Sequence, residues 1–268
     1  MADYIKKFEE HDDYTTYESG GTMVLPNISR CDDEKDIHYN PALLKYPMTF
    51  KVLSKGNIVF TATDANNTRT LSYSKNDGPW TEITSSTAGT EIPVELGDEV
   101  AFKGNNTNGL SYWNGSSGSQ SVEYFNSFQG TTCYFHLYGN VMSLIEPTNF
   151  ATSYEFKSNT YQQLGELFRN TKVISARHLL FPANTVGVYA YFNLFRGSTL
   201  ISPPRLAAMN LSQASYVQVF CECKSLKKYP YNLPATNAPQ NVYNNMFSET
   251  GLIEAPEIMA TTISSNSF

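Results

Sequence analysis

From Pro47 onward, apolar and polar positions fall into two successive regimes. Up to about Gly139 the apolar residues come in short runs: MTFKVLS (48–54), NIVFTAT (57–63), TLSYSK (70–75), EIPVEL (91–96) and EVAFKG (99–104). In TLSYS and EVAFK every second side chain is apolar or aromatic, as a half-buried antiparallel strand requires. The stretches KGN, NDGPW and LGD separate the runs with turn-forming residues. This pattern predicts an Ig-like β-sandwich over residues 47–140, with further strands in VEYFNSF and TTCYFHLYG. Between these, residues 103–121 are rich in Gly, Asn and Ser and read as a surface loop. The two rings in that loop, Tyr112 and Trp113, are a candidate ligand surface that could stack on a sugar.

After a linker and repeat entry at 141–160, residues 161–268 repeat. With Phe168, Phe195, Phe220 and Phe247 as anchors, LFRNTKVI, LFRGSTLI, VFCECKSL and MFSETGLI align. Six residues after each anchor stands Ile174, Ile201, Leu226 or Ile253, and three after it a small residue, Thr171, Ser198, Cys223 or Thr250. An apolar-x-Ala pattern follows, ending at Ala183, Ala208, Ala235 and Ala260. Each of the first three alanines precedes the next anchor by twelve residues. The anchor-to-Ala interval alternates between 15 and 13, so length variation sits in one segment, as in the outer loop of a stacked coil. Three residues past each alanine is Val186, Leu211, Ala238 or Ile263, and eight past it Tyr191, Tyr216, Tyr243 or Phe268. Tyr and Phe four apart in YFNLF, YVQVF and YNNMF have the spacing of one face of a short helix. Periods of 25 to 27 residues fall among those of leucine-rich repeats. The expected architecture is therefore an extended arm, a β-sandwich, and a solenoid of short helices and strands. Phe268 falls at the Tyr position of a further unit, so the array should be open at its C-terminal end, either as a fragment or covered by another chain.

Charge separates the first segment from the rest. Residues 1–40 carry ten acids against four bases, the entire net charge of −6, and the remainder balances. No basic stripe exists to attract phosphates, which argues against nucleic-acid binding. No run of about 18 apolar residues could span a membrane, and MADYIKKFEEHDD lacks the apolar core of a secretory signal. Four irregularly spaced cysteines in 268 residues fit a reducing compartment, with no structural disulfide expected. Residues 1–46, interrupted by Gly20-Gly21 and Pro26, read as an acidic arm for attachment or assembly.

The repeats MFSETGLIEAPEIMATT and VFCECKSLKKYPYNLPATN resemble the BspA-type leucine-rich repeats of Bacteroidales surface proteins. SYSKNDGPWTEI, LGDEVAFKGNN and LYGNVMSLI are similar to the β-domain that often precedes them. Only Cys223 keeps that family's cysteine, and only LPAT at Leu233 to Thr236 keeps its motif intact. HDDYTTYESGGTMVLPNISRCDDEKDIHYNP resembles the N-terminal segment of virion proteins from phages infecting Bacteroidales, crAss-like phages among them. That resemblance implies an anchoring arm, with Pro26, Asn27, Cys31, His38, Tyr39, Asn40 and Pro41 as its candidate contacts with other virion proteins.

Chemistry offers weaker alternatives. CDDEKDIH (31–38) gathers a thiol, carboxylates and an imidazole, yet lacks the Gly and closing Glu of an EF-hand and the paired spacing of a zinc knuckle. His11, His38, His136 and His178 form no His-x-x-x-His pair, and no P-loop, nucleophile elbow or zincin motif occurs. Glu249, Glu254 and Glu257 fall in the outer segment of the repeat, where a carboxylate is ordinarily solvated. No metal, cofactor or catalytic residue is expected. Cys221 and Cys223 are read as one turn of the repeat, Cys223 buried and Cys221 exposed and reactive. The expected function is a non-enzymatic phage structural protein: a head fibre, a capsid decoration or a tail-associated component. It would be made in host cytoplasm and oligomeric, dimer or trimer, presenting its repeats to a host glycan or protein. A bacterial surface adhesin with a missing or processed export signal is the alternative.

Overall fold

The computed structural model describes residues 41–113, 123–156 and 163–268, which belong to one compact unit, Tyr39–Phe268. Fifteen strands and three short 3-10 turns make it up, and no α-helix occurs among the described residues. In chain order the strands are β1 (Met48–Val52), β2 (Gly56–Ala62), β3 (Thr70–Lys75), β4 (Thr81–Thr84), β5 (Thr90–Val94) and β6 (Glu99–Lys103). There follow the short β7 (Tyr112–Trp113), β8 (Glu123–Tyr124) and β9 (Asn126–Ser127), then β10 (Phe135–Asn140) and β11 (Val173–Leu180). The two-residue strands β12 (Thr185–Val186), β13 (Asn210–Leu211), β14 (Asn237–Ala238) and β15 (Thr262–Ile263) complete the set.

Each of the five runs read as strands contains one, β1, β2, β3, β5 and β6, and β4 is added by TEIT after the NDGPW turn. A six-stranded sheet runs β11-β10-β1-β6-β3-β4, and a three-stranded sheet runs β5-β2-β9. Alternation places Phe50 and Phe102 inward. There they meet Phe128, at centroid distances of 4.9 and 5.0 Å, and Phe60 reaches the same ring at 5.4 Å. The immunoglobulin-like sandwich is not what forms. A self-contained antiparallel sandwich would close within 47–140, whereas here β10 takes β11, from the repeats, as a parallel edge strand. Pairing covers an edge that would otherwise expose a row of unbonded backbone groups. Hydrogen bonds and core thus run without interruption from the strand region into the repeats.

A solenoid of short helices and strands is not what forms either. The Tyr–Phe segments are chains of tight turns. Residues with positive φ recur every fourth position: Glu166 and Asn170; Tyr189, Asn193 and Gly197; Ala214, Gln218 and Glu222; Asn241, Asn245 and Glu249. A left-handed residue every four positions forbids the right-handed helix. It also turns alternate N–H groups out of the coil: Phe168, Phe195 and Phe220 donate to the carbonyls of Leu194, Val219 and Met246 in the following coil. The intervening N–H groups bond back three residues, as Ser198 does to Phe195 and Cys223 to Phe220. A spacing of four therefore arises here from turns, with every second peptide cross-linking neighbouring coils.

Across the coil, units meet through short parallel pairings: β12 with β13, β14 with β15, and bridges Phe181–Leu206 and Leu233–Ile258. The alternating 15- and 13-residue intervals correspond to this pairwise grouping, since each long unit pairs with the short unit after it.

Candidate functional site

The repeated side chains stack in columns. Phe128, Phe168, Phe195, Phe220 and Phe247 lie face to face at 6.0, 5.2, 5.8 and 5.6 Å. A second column comprises Tyr191, Tyr216, Tyr243 and Phe268, spaced 5.6, 6.1 and 5.6 Å. Of the sequence-derived core positions, Phe168, Ile174, Ala183, Phe195, Ile201, Ala208, Phe220, Leu226 and Ala235 are buried. In the last unit Phe247 and Ala260 are partly buried and pack on the core. Ile253, read as core, is instead 85% exposed: among the described residues no coil packs over it.

Phe128 was not among the anchors expected from the repeats, yet it heads the column. The signal was present: YFNSFQGTT (124–132) matches YFNLFRGST (191–199) at six of nine positions. Thr131 donates its hydroxyl to the Phe128 carbonyl at 2.7 Å, as Thr171 does to Phe168 and Thr250 to Phe247, both at 2.8 Å. The strand region therefore supplies a first coil of its own. An interval of 40 residues between Phe128 and Phe168, against 25 to 27 elsewhere, conceals it from a search for constant period.

After Phe128, Phe168 and Phe247 the small position is thus also a donor to its own anchor. Cys223 departs from this: its Sγ lies 3.0 Å from the carbonyl of Phe195, the anchor of the preceding coil, and 3.5 Å from the Ser198 hydroxyl. Burial pushes this thiol up to about 12 and the Cys133 thiol up to about 11. Cys221, expected to be exposed, is buried. It occupies the repeat position of Arg169 and Arg196; desolvation raises its pKa too, the neighbouring Arg196 charge opposing that rise. Raised pKa and burial both suppress the thiolate that reacts. In a Cys31→Ser variant, a maleimide or disulfide reagent at pH 8 should label none of Cys133, Cys221 and Cys223 in the native protein and all three after denaturation. Rapid native labelling of Cys221 would contradict this placement.

The outward side of the turns is a polar ladder with an aromatic start. Glu166 Oε1 accepts from Arg169 Nη1 at 2.6 Å and from Asn193 Nδ2 at 3.0 Å. Arg196 grips Glu222 Oε1 through Nε at 3.1 Å and Nη2 at 2.5 Å, and reaches Gln218 at 3.4 Å. This pairing lowers the Glu222 pKa and raises that of Arg196, the hydrogen bond between them being the main cause in both. Both side chains are about one-third exposed, so the pair serves register more than stability. Beside the ladder, Phe192 stacks on Phe125 at 6.3 Å and meets Tyr189 edge-on at 5.9 Å.

Tyr112, from the candidate ligand surface, is 38% exposed and pairs in register with Tyr124; Trp113 pairs with Glu123. The backbone therefore carries Tyr112 next to Tyr124, the first residue of the first coil. No family model, curated protein or solved structure matches the chain. Its assignment rests on its own residues. The expected anchoring residues Pro26, Asn27, Cys31, His38, Tyr39 and Asn40 lie outside the described residues, and Pro41 opens a 3-10 turn, Pro41–Lys45. Glu249, Glu254 and Glu257, read as solvated, are exposed. His136 and His178 lie on the adjacent strands β10 and β11, which pair His136 with Ser175 and Tyr138 with His178. No group of three or more metal-ligating side chains occurs among the described residues.

Proposed function

We propose that the chain is a non-enzymatic structural protein of a phage particle, docking on the virion through its N-terminal arm and presenting the repeat body to the host surface or to a surface glycan. The observation that carries this reading is the unbroken core joining strand region and repeats. Phe128 belongs at once to the two-sheet interior and to the aromatic column, so the body is one stiff piece suited to display. Two further features support it. The whole net charge lies in residues 1–40, ahead of a balanced body, and the arm resembles virion N-terminal segments. On the turn face, half-buried aromatic rings beside fixed amide and carboxylate groups combine apolar contact with oriented hydrogen bonding, the usual make-up of a recognition surface.

Mass spectrometry of purified particles should find the protein in stoichiometric amount. Deletion of residues 1–41 should abolish incorporation while circular dichroism and Tm of the purified body stay unchanged. Particles that incorporate the truncated chain at the wild-type level would sink the anchoring role, and absence of the full chain from particles would sink the reading altogether.

A further inference from the structure

The repeat unit anchored on Phe220 carries three prolines in one stretch, YPYNLPATNAP (229–239). Two of them stand where neighbouring units use an N–H group. Ser212 and Ser264 follow their strands and donate to the Val186 and Ala238 carbonyls of the preceding unit, at 3.0 and 2.9 Å. Their counterpart is Pro239. Met259 donates to the Leu233 carbonyl at 3.0 Å, and its counterpart is Pro234. A proline has no N–H to give, so neither position can pair with the Phe195 unit.

A seam results. Away from the turns, the Phe168 and Phe195 units are bonded through the N–H groups of Ala176, Ile201 and Asn210, and the Phe220 and Phe247 units through those of Leu233, Ile253 and Thr262. Between the Phe195 and Phe220 units, no main-chain hydrogen bond among the described residues joins 199–212 to 226–239. Leu226, whose counterparts Ile201 and Ile253 donate to the preceding unit, bonds back to Cys223. Leu206, whose counterpart Leu233 donates to the Glu257 carbonyl, gives its N–H to the Tyr229 hydroxyl at 3.2 Å. A side chain there replaces a main-chain acceptor. The Tyr229 ring is held by Phe220 and Phe247 at 5.5 and 5.4 Å.

The turn side of the same junction is bonded throughout. Tyr191, Asn193, Phe195 and Gly197 donate to the carbonyls of Ser215, Val217, Val219 and Cys221 at 2.8 to 3.1 Å, and Arg196 grips Glu222. A junction bonded along one side and unbonded along the other is a hinge. We propose that the repeats open and close at this junction, the Phe220 and Phe247 units swinging about the turn side while the strand side parts between Leu211 and Asn237, with the Tyr229 hydroxyl as its latch. The motion does not rest on the particle reading, and the joint at Phe128 stays within the fixed part.

Thr185, Asn210, Asn237 and Thr262 are exposed and hold the same place in successive units. In the full chain with Cys31→Ser, where Cys133, Cys221 and Cys223 are buried, spin labels on cysteines introduced at successive pairs of these positions give three like distances by double electron–electron resonance. The Thr185→Cys/Asn210→Cys and Asn237→Cys/Thr262→Cys pairs lie on bonded strands and should give narrow distributions. Asn210→Cys/Asn237→Cys spans the seam and should give a broad one with a second, longer component. Tyr229→Phe keeps the ring and removes the acceptor, so it should enlarge that component and speed exchange of the Leu206 amide about tenfold, leaving the Leu233 amide unchanged. Pro239→Ser restores the donor that Ser212 and Ser264 supply elsewhere, and should shrink the longer component. A seam distribution as narrow as its neighbours, or one indifferent to both substitutions, would overturn the proposal.

Discussion

Replacing Phe195 with alanine should remove about 3–5 kcal/mol of stability, the range for deleting a large buried aromatic side chain. Its ring lies between Phe168 at 5.2 Å and Phe220 at 5.8 Å, with Phe181 edge-on at 6.4 Å, so it is the middle member of the column. Alanine would leave a void bounded by coils whose spacing is held by backbone hydrogen bonds on both sides, and such coils cannot close in to fill it. The same change at Phe247, partly exposed on the last coil, should cost about 1–2 kcal/mol, because less area leaves water there to begin with. Urea denaturation of the two variants checks this order. A Phe195→Ala loss below that of Phe247→Ala would show that the column is not the spine of the repeats.

Gly139→Ala should be comparably severe, about 4 kcal/mol, combining left-handed backbone strain with overpacking against main chain. Gly139 lies in β10 with φ +87°, a conformation that L side chains rarely adopt. A Cβ at this position would run into the Pro47 carbonyl oxygen, 2.8 Å from the carbonyl carbon and 3.0 Å from the Tyr46 oxygen. None of these atoms can swing aside. Next to it Asn140 is fully buried, donating to the Leu44 and Phe150 carbonyls at 3.2 and 2.9 Å while accepting from the Met142 N–H at 2.9 Å. By contrast Gly97, at φ +89°, has open space around it, so Gly97→Ala should lose only the strain contribution, about 1–2 kcal/mol. Equal Tm shifts for the two alanine variants would mean that crowding at Gly139 contributes nothing.

Residues legible in advance and those that were not differ in how local their cause is. Strand positions in TLSYS and EVAFK follow from alternation, since a pleated strand with one buried face can satisfy that pattern in only one way. The anchors Phe168, Phe195 and Phe220 follow from recurrence, because each coil buries the same position against its neighbour. By the same logic Ile253 was read as core, yet it is exposed, because among the described residues no neighbouring coil covers it. Cys221 failed because exposure of one position in a column depends on the length of the side chains around it. On the turn face, YFNSF carried its identity openly at 124–128, but an inserted segment before Phe168 broke the period that would have disclosed it.

By itself the sequence determines the short strands, the repeat register, the ring columns and the concentration of charge in the first forty residues. These depend on periodicity and composition, which are properties of neighbours along the chain. Only the tertiary structure decided between helix and turn. Tyr and Phe four apart serve either, and the choice depends on whether alternate N–H groups find acceptors within their own coil or, as here, on the next one. It also decided that β10 belongs to both the strand region and the repeats, because a parallel partner 38 residues further along the chain is a long-range pairing that no local pattern encodes.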